Sequence, residues 1–278
     1  MPELPEVEVV KRSLEPRLIG RRFSRVNVHS PALREPLDRE ALSSLAGAAV
    51  TDLRRRAKYL LIDLEGDRTL IIHLGMSGRL TVVGPKAPRE KHEHLSFSLS
   101  DGGRLRLVDP RRFGMAFTLP TPEIESDRRF VHLGIEPLDT PHGESELSGA
   151  YLRHRAKGRR GPIKAFLMDG KIVVGVGNIY ACEVLWRSKV HPKRGVDRIS
   201  LKTWESLASS IQAVLSGAIA EGGTTLSDFQ DGEGNAGYFQ VSLAAYGRVE
   251  KPCLRCESPI RRIVQSNRST FYCGRCQR

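Results

Sequence analysis

The chain has no run of 18 apolar residues, so no segment reads as a membrane span. It has no basic leader followed by an apolar stretch. The start, Met1-Pro2-Glu3-Leu4-Pro5-Glu6, is acidic and proline-bearing, which argues against export and for a cytoplasmic protein. Cysteine is scarce, five in 278 residues, which excludes a small disulfide scaffold. No fixed-period repeat and no low-complexity tract interrupts it. What remains is a folded chain, 40% apolar and 27% charged, long enough for one large domain or two to three small ones.

The few cysteines are arranged. Cys253-x2-Cys256 and Cys273-x2-Cys276 stand 16 residues apart. Each short pair can place two thiolates on one tight turn, and two such turns complete a tetrahedron around zinc. Disulfides are the alternative. The absent leader and the odd Cys182 count against them. Four sulfur ligands leave no open position for a catalytic water, so one structural Zn²⁺ is expected.

Charge is the second signal. The net charge is +12. Residues 151–171 carry Arg153, Arg155, Lys157, Arg159, Arg160, Lys164 and Lys171 against Asp169. Residues 251–278 carry Lys251, Arg255, Arg261, Arg262, Arg268, Arg275 and Arg278 against Glu257. The two segments hold the whole excess. Two basic patches on a neutral body fit a polyanion partner, nucleic acid first, although solvated surfaces would look the same.

Apolar periodicity predicts a helix over residues 2–19, from Val7, Val10, Leu14 and Leu18, with Pro16 kinking or ending it. From 22 to about 120 the pattern is short strands: Phe23–Val28, Tyr59–Leu64, Thr69–Leu74, Arg79–Val83, Leu95–Leu99, Arg104–Val108 and Met115–Leu119. A short helical pattern falls at 33–46. This predicts a sandwich or flattened barrel. Residues 121–145 read as a linker and 145–222 as helical, with Leu201–Ala220 the clearest helix. Residues 222–240 are glycine-rich and read as a long functional loop.

The N-terminus carries possible chemistry. Removal of Met1 would leave Pro2 as a secondary amine. An α-amino group titrates at about 7.7–8.0, so a useful fraction is unprotonated at neutral pH. Such an amine can attack a sugar aldehyde carbon and form a cationic iminium. Glu3 and Glu6 lie on the first turn beside it and could move protons or accept a bond from a base. Helix-dipole complementarity explains them equally well.

The first block, Met1-Pro2-Glu3-Leu4-Pro5-Glu6-Val7-Glu8, resembles the start of the formamidopyrimidine-DNA glycosylase family, the bacterial repair enzymes for oxidised purines. The likeness continues in order through Arg55-Arg56-Ala57-Lys58-Tyr59, His73-Leu74-Gly75-Met76-Ser77-Gly78, Asp109-Pro110-Arg111-Arg112-Phe113-Gly114 and Gly175-Val176-Gly177-Asn178-Ile179-Tyr180. It ends with Gly222-Gly223-Thr224-Thr225-Leu226, Gly237-Tyr238-Phe239-Gln240, Tyr246-Gly247-Arg248 and the cysteine quartet around Arg268.

The resemblance implies an α+β multidomain protein. Residues 1–132 would form a catalytic helix plus β-sandwich, 133–250 a helix–two-turn–helix domain with lesion loop 222–240, and 251–278 a zinc-finger β-hairpin. It implies a monomer acting on double-stranded DNA that holds oxidised bases or abasic sites. Pro2 would attack C1′ and displace the base. Glu3 would handle the proton transfer that opens the deoxyribose ring. Lys58 would serve β-elimination, and Arg268 δ-elimination. His73, His92, Arg111, Arg159 and Asn178 would contact DNA. Glu6 would lie at the lesion. Met76, Arg111 and Phe113 would fill the gap left by an extruded nucleotide, which otherwise costs a few kcal/mol.

Each residue has a plainer reading. Lys58 could be a solvated end of a basic run. Met76 and Phe113 would ordinarily be core. Arg111 and Arg112 could pair with Asp109. Asn178 could be a helix N-cap, and His73 a buried strand histidine. Trp186 stands where a smaller aromatic is expected from the family. The competing functions are an endonuclease VIII type, preferring oxidised pyrimidines, and a non-catalytic DNA-binding protein. The first block and the Leu74–Gly78 and Asp109–Arg111 contexts count against the former. The presence of Pro2, Glu3 and Lys58 counts against the latter.

Overall fold

A computed structural model describes residues 2–141, 143–222 and 243–278. Met1 and most of the glycine-rich segment 222–240 lie outside the described residues. The chain forms two compact units, one reaching to Val131 and one holding residues 132–221 together with the C-terminal residues.

The first unit opens with helix α1, Leu4–Leu18, whose buried stripe is Leu4, Val7, Val10, Leu14 and Leu18. The expected face is present. Pro16 sits in the last turn, where the ladder is ending, so the helix runs two residues past it without a break. Strands follow: β1 Phe23–Val28, β2 Val50–Arg56, β3 Tyr59–Leu64, β4 Arg68–His73, β5 Arg79–Val83, β6 Glu93–Leu99, β7 Arg104–Val108 and β8 Met115–Pro120. They make two antiparallel sheets, β1-β6-β7-β5 and β2-β3-β4-β8. Apolar residues of both sheets and of α1 share one core, with Phe23 and Phe97 rings 4.7 Å apart at its centre. This is the expected sandwich.

Two expectations change. The helical pattern at 33–46 is only the short α2, Arg39–Ser43, capped by Asp38 through the Ala41 N–H at 2.9 Å. β2 has no counterpart in the sequence reading, because Arg54, Arg55 and Arg56 hide its alternation. Their charges are matched in the structure. Arg54 bonds Asp63 on the neighbouring strand at 2.9 Å, and Arg55 bonds Glu8 of α1 at 3.0 Å.

The second unit holds α3 Gly149–Ala156, α4 Ile163–Leu167, α5 Asn178–Arg187 and α6 Leu201–Ala220, then the hairpin β9 Ile260–Gln265 and β10 Arg268–Cys273. Trp204, Leu207, Ile211 and Leu215 line the buried side of α6 as expected. The hairpin turns through Ser266 and Asn267, both with positive φ. That is the two-residue geometry whose twist suits an antiparallel pair. β10 packs against α5. Among the described residues no helix is long and apolar enough to cross a membrane.

Candidate active site and nucleic-acid interface

One row of strand partners organises the first unit's site. In the β2-β3-β4-β8 sheet, Arg56 faces Tyr59, Tyr59 faces His73, and His73 faces Met115. One end of the sheet therefore carries the β2–β3 turn with Lys58, the end of β4 with His73, and the chain leading into β8 with Arg111 and Phe113. The Met76 segment leaves β4 from the same end. Helix α1 brings its N-terminus there too. Its C-terminal end lies by Val50, where Gly20 N–H donates to the Val50 carbonyl, and Glu8 lies by Arg55 near the other end of β2. Pro2, Glu3 and Glu6 continue past Glu8 toward the sheet end that bears Lys58.

Pro2 is buried just ahead of the helix. Glu3 and Glu6 are each 1% exposed. Glu3 is the N-cap, and its N–H donates to Glu6 Oε2 at 2.8 Å in a reciprocal capping box. Glu6 thus has a structural task on the first turn. Lys58 is half-buried and occupies a two-residue turn in which Ala57 takes φ 55°. That conformation is costly for a residue with a Cβ, and such strain gathers at functional sites.

His73 accepts the Gly75 N–H through Nδ1 at 3.0 Å. Its pKa is pushed down to about 4, by burial first and then by the Lys58 charge. It is a neutral ring whose Nε2 keeps the proton. Met76 and Phe113 are 39% and 44% exposed, so neither is a core residue. The Arg111 guanidinium lies 5.1 Å from the Phe113 ring centre. The plainer reading of Asp109, an ion pair with Arg111 or Arg112, gives way to a turn clamp. Asp109 is buried and accepts the Ser77 hydroxyl and the Gly114 N–H. Exposed His92 is joined to this turn through its carbonyl, which accepts the Asp109 N–H at 3.0 Å.

In the second unit Gly177, not Asn178, is the N-cap of α5. Asn178 is the first helical residue and faces the hairpin. Its Nδ2 donates to the Ser269 carbonyl at 3.0 Å, and its Oδ1 accepts Lys164 Nζ at 2.6 Å. Lys164, counted with the basic surface from sequence, is only 2% exposed and also donates to Thr270 Oγ1 at 2.6 Å. It is a strut joining α4, α5 and β10. Nothing in its sequence surroundings signals this. Arg268 is exposed at the hairpin tip. It lines a cleft of about 700 Å³ with Lys164, Met168, Lys193 and Gln265. Arg159 is exposed and pairs with Asp169 at 3.0 Å. Glu183 was also silent in the sequence: buried on α5, it accepts the N–H groups of Ala244, Ala245 and Tyr246.

The Sγ atoms of Cys253, Cys256, Cys273 and Cys276 all lie within 4.8 Å of one another. Tetrahedral ligands on Zn–S bonds of about 2.3 Å would be roughly 3.8 Å apart, so the quartet fits one zinc ion. The thiols behave as a crowded set. Cys256 is pulled down to about 6, chiefly by the Ser258 hydroxyl, while Cys276 is pushed up to about 12, chiefly by its bond with Cys256. All four cannot ionise together without a cation. Trp186 Nε1–H donates to Cys253 Sγ at 3.4 Å, which gives the larger aromatic a place beside a metal ligand. Cys182 is buried next to the quartet, a small core residue as expected.

Three family profiles match the chain. They are the formamidopyrimidine-DNA glycosylase N-terminal domain over residues 1–116, the formamidopyrimidine-DNA glycosylase H2TH domain over 133–230, and the zinc finger found in FPG and IleRS over 250–278. The formamidopyrimidine-DNA glycosylase of Hahella chejuensis is 45% identical over 278 residues, and that of Ruegeria sp. 44% over 288, each alignment covering 100% of both chains. Among solved structures, Lactococcus lactis Fpg in complex with DNA containing an abasic site is similar at a TM-score of 0.89, 32% identity and 99% coverage of each chain. Another Lactococcus lactis Fpg complex, with DNA containing an oxidised pyrimidine, gives 0.88, 33% and 99%. With its successive parts matched in order and its relatives aligned from end to end, the chain belongs to the formamidopyrimidine-DNA glycosylase family.

Proposed function

We propose that the protein is a bifunctional DNA glycosylase and abasic-site lyase of base excision repair, acting on oxidised purines in double-stranded DNA. The observation that carries this reading is the row Arg56–Tyr59–His73–Met115, whose sheet end gathers Lys58, His73, Met76, Arg111 and Phe113, with the start of α1 directed to it. With Met1 removed, the Pro2 nitrogen forms a bond to C1′ as the C1′–N bond to the base breaks and the base leaves with a proton. Glu3, buried beside Pro2, passes a proton to the ring oxygen so that the sugar opens and the iminium forms. Lys58 serves the β-elimination that follows, taking the C2′ proton as the 3′ phosphate departs. Arg268 assists the second elimination. Met76, Arg111 and Phe113 fill the stack. Glu6 caps the first turn at the lesion side. His73, His92, Arg111, Arg159 and Asn178 hold DNA. The zinc ion holds the hairpin and takes no part in the chemistry.

In this reading residues 1–132 are the catalytic part, 133–250 the helix–two-turn–helix part and 251–278 the zinc finger. The protein works as a monomer in the bacterial cytoplasm. The nucleophile is tested by borohydride on a duplex carrying 8-oxoguanine opposite cytosine. The expected result is a stable adduct that peptide mapping places on Pro2, with Met1 absent; an added N-terminal residue abolishes it. An adduct on Lys58, or equal trapping by protein that keeps Met1, refutes the assignment. Substituting an oxidised pyrimidine in the same assay separates the endonuclease VIII reading, which requires the faster trapping there.

A further inference from the structure

The three proposed wedge side chains belong to two different chain crossings. Met76 lies on 74–78, which passes from β4 in one sheet to β5 in the other. Arg111 and Phe113 lie on 109–114, which passes from β7 back to β8. The crossings touch backbone to backbone. A Cβ on Gly75, at φ 63°, would lie 2.3 Å from the Phe113 carbonyl carbon, and one on Gly114 would lie 2.9 Å from the His73 carbonyl oxygen. Close approach alone does not fix their relative setting.

Asp109 supplies the bond between them. It is 0% exposed. Oδ1 accepts the Ser77 hydroxyl at 2.6 Å, from the Met76 crossing, and the Arg111 N–H at 3.3 Å. Oδ2 accepts the Gly114 N–H at 2.7 Å. The loop between these amides is thereby held tight, with Arg112 at φ 55°. The backbone of Asp109 is tied as well. Its N–H donates to the His92 carbonyl at 3.0 Å, and its own carbonyl accepts His94 Nε2–H at 2.8 Å. That leaves His94 Nδ1 to accept the Ser30 hydroxyl at 2.7 Å. A buried carboxyl that uses both oxygens on neutral donors is expensive to desolvate, so the site spends folding stability on holding one geometry.

We propose that Asp109 is a positioning residue for base extrusion: it locks the Met76 crossing to the Arg111–Phe113 crossing, so that the three side chains enter the duplex as one preset wedge. The proposal rests on the wedge reading above. Separate, mobile crossings would have to be ordered at the moment of insertion, which slows the step. Asparagine at 109 cannot reproduce the clamp. Its NH2 group would face a donor on one side, whereas each carboxyl oxygen now accepts.

The test uses the full chain and a duplex carrying 8-oxoguanine with 2-aminopurine beside it. Asp109→Asn is expected to slow both the 2-aminopurine fluorescence rise and base release by about tenfold, the scale of one strong hydrogen bond. Ser77→Ala is expected to act in the same direction with a smaller effect. The control is β-elimination at an abasic site in a single strand, which has no stack to wedge open. The ratio of duplex to single-strand rate must fall in both variants. An unchanged ratio, whether both rates hold or both drop together, makes Asp109 merely structural and overturns the proposal. If Asp109→Asn does not fold, Ser77→Ala decides by the same ratio. Met76→Ala and Phe113→Ala run alongside. If they leave the ratio intact, the wedge reading fails and takes the clamp with it. If they lower it while Asp109→Asn and Ser77→Ala do not, the clamp alone fails.

Discussion

In the proposed DNA contact His73 would offer a donor and not a charge. Its Nδ1 is occupied by the Gly75 amide, and burial together with Lys58 keeps the ring neutral at physiological pH. Arg159 is the contrast: an exposed guanidinium that leaves Asp169 to meet a phosphate releases a counterion. Both His73→Ala and Arg159→Ala should therefore weaken binding to damaged and undamaged duplex. Only Arg159→Ala should lower the slope of log affinity against log salt, by about 1. Anisotropy titrations over a salt series measure this, and a lowered slope for His73→Ala would show that the ring is charged when bound. The same group sets a pH dependence. Its folded pKa of about 4 lies below the ordinary 6.5, so between those values the unfolded chain binds a proton that the folded chain refuses. Stability should fall as pH drops through that window and be indifferent to this group above it. The loss is at most roughly 3 kcal/mol and smaller to the extent that the ring reaches solvent. Denaturant midpoints should show a flatter acid limb for His73→Gln.

Elements are legible where local signals suffice. Helix α1 shows the one-sided apolar stripe its periodicity predicts, and strands β1, β3, β5 and β7 fall where short runs of β-forming residues are set off by turns. β2 was not legible, since its arginines are neutralised by Asp63 and Glu8 from other elements, a tertiary fact. The candidate site divides the same way. Pro2 and Glu3 are suggested by the chemistry of a free N-terminal amine and Arg268 by its place between the cysteine pairs, while their roles, and Lys58, Met76, Arg111 and Phe113, come from family likeness; the four cysteines come from spacing alone. Asp109 and Lys164 were missed as supports, because a supporting residue is defined by what it touches. Lys164 shows the cost of such a miss. Its ammonium spans Asn178 and Thr270, and it looked like one more surface charge. Lys164→Met keeps the length of the side chain but takes the donor from the buried Thr270 hydroxyl and the half-buried Asn178 oxygen, at about 1–3 kcal/mol. The expected result is a lower thermal midpoint and a hairpin whose β10 amides exchange faster, with α1 and the β1-β6-β7-β5 sheet unaffected. Uniformly faster exchange over the whole chain would rule out a local strut.

At the scale of the molecule, the basic segments and the residues proposed for nucleophilic attack and β-elimination lie in different units, with Arg268, proposed for the second elimination, on the basic side. Both basic segments, 151–171 and 251–278, belong to the second unit, while Pro2, Glu3 and Lys58 belong to the first. The first unit has its own core, built from α1 and two sheets. The hairpin has little of its own: Cys182, Ala245, Cys253, Ile260, Phe271 and Cys273 form a small cluster in which the cysteines themselves are the packing. A module with so little apolar material depends on the metal for its folding energy. Loss of zinc would leave crowded thiols that cannot all ionise, and β10 would be released from α5. The Asn178 bond to Ser269 and the Lys164 bond to Thr270 would go with it. Arg268 would then be presented by no fixed strand. Complete chelation should therefore abolish duplex binding, while the circular-dichroism signal of the first unit's strands persists, and re-addition of zinc should restore binding. If zinc-free protein still binds duplex with its normal affinity, the hairpin is dispensable and the phosphate contacts lie elsewhere. If the strand signal collapses together with binding, the first unit does not stand on its own core.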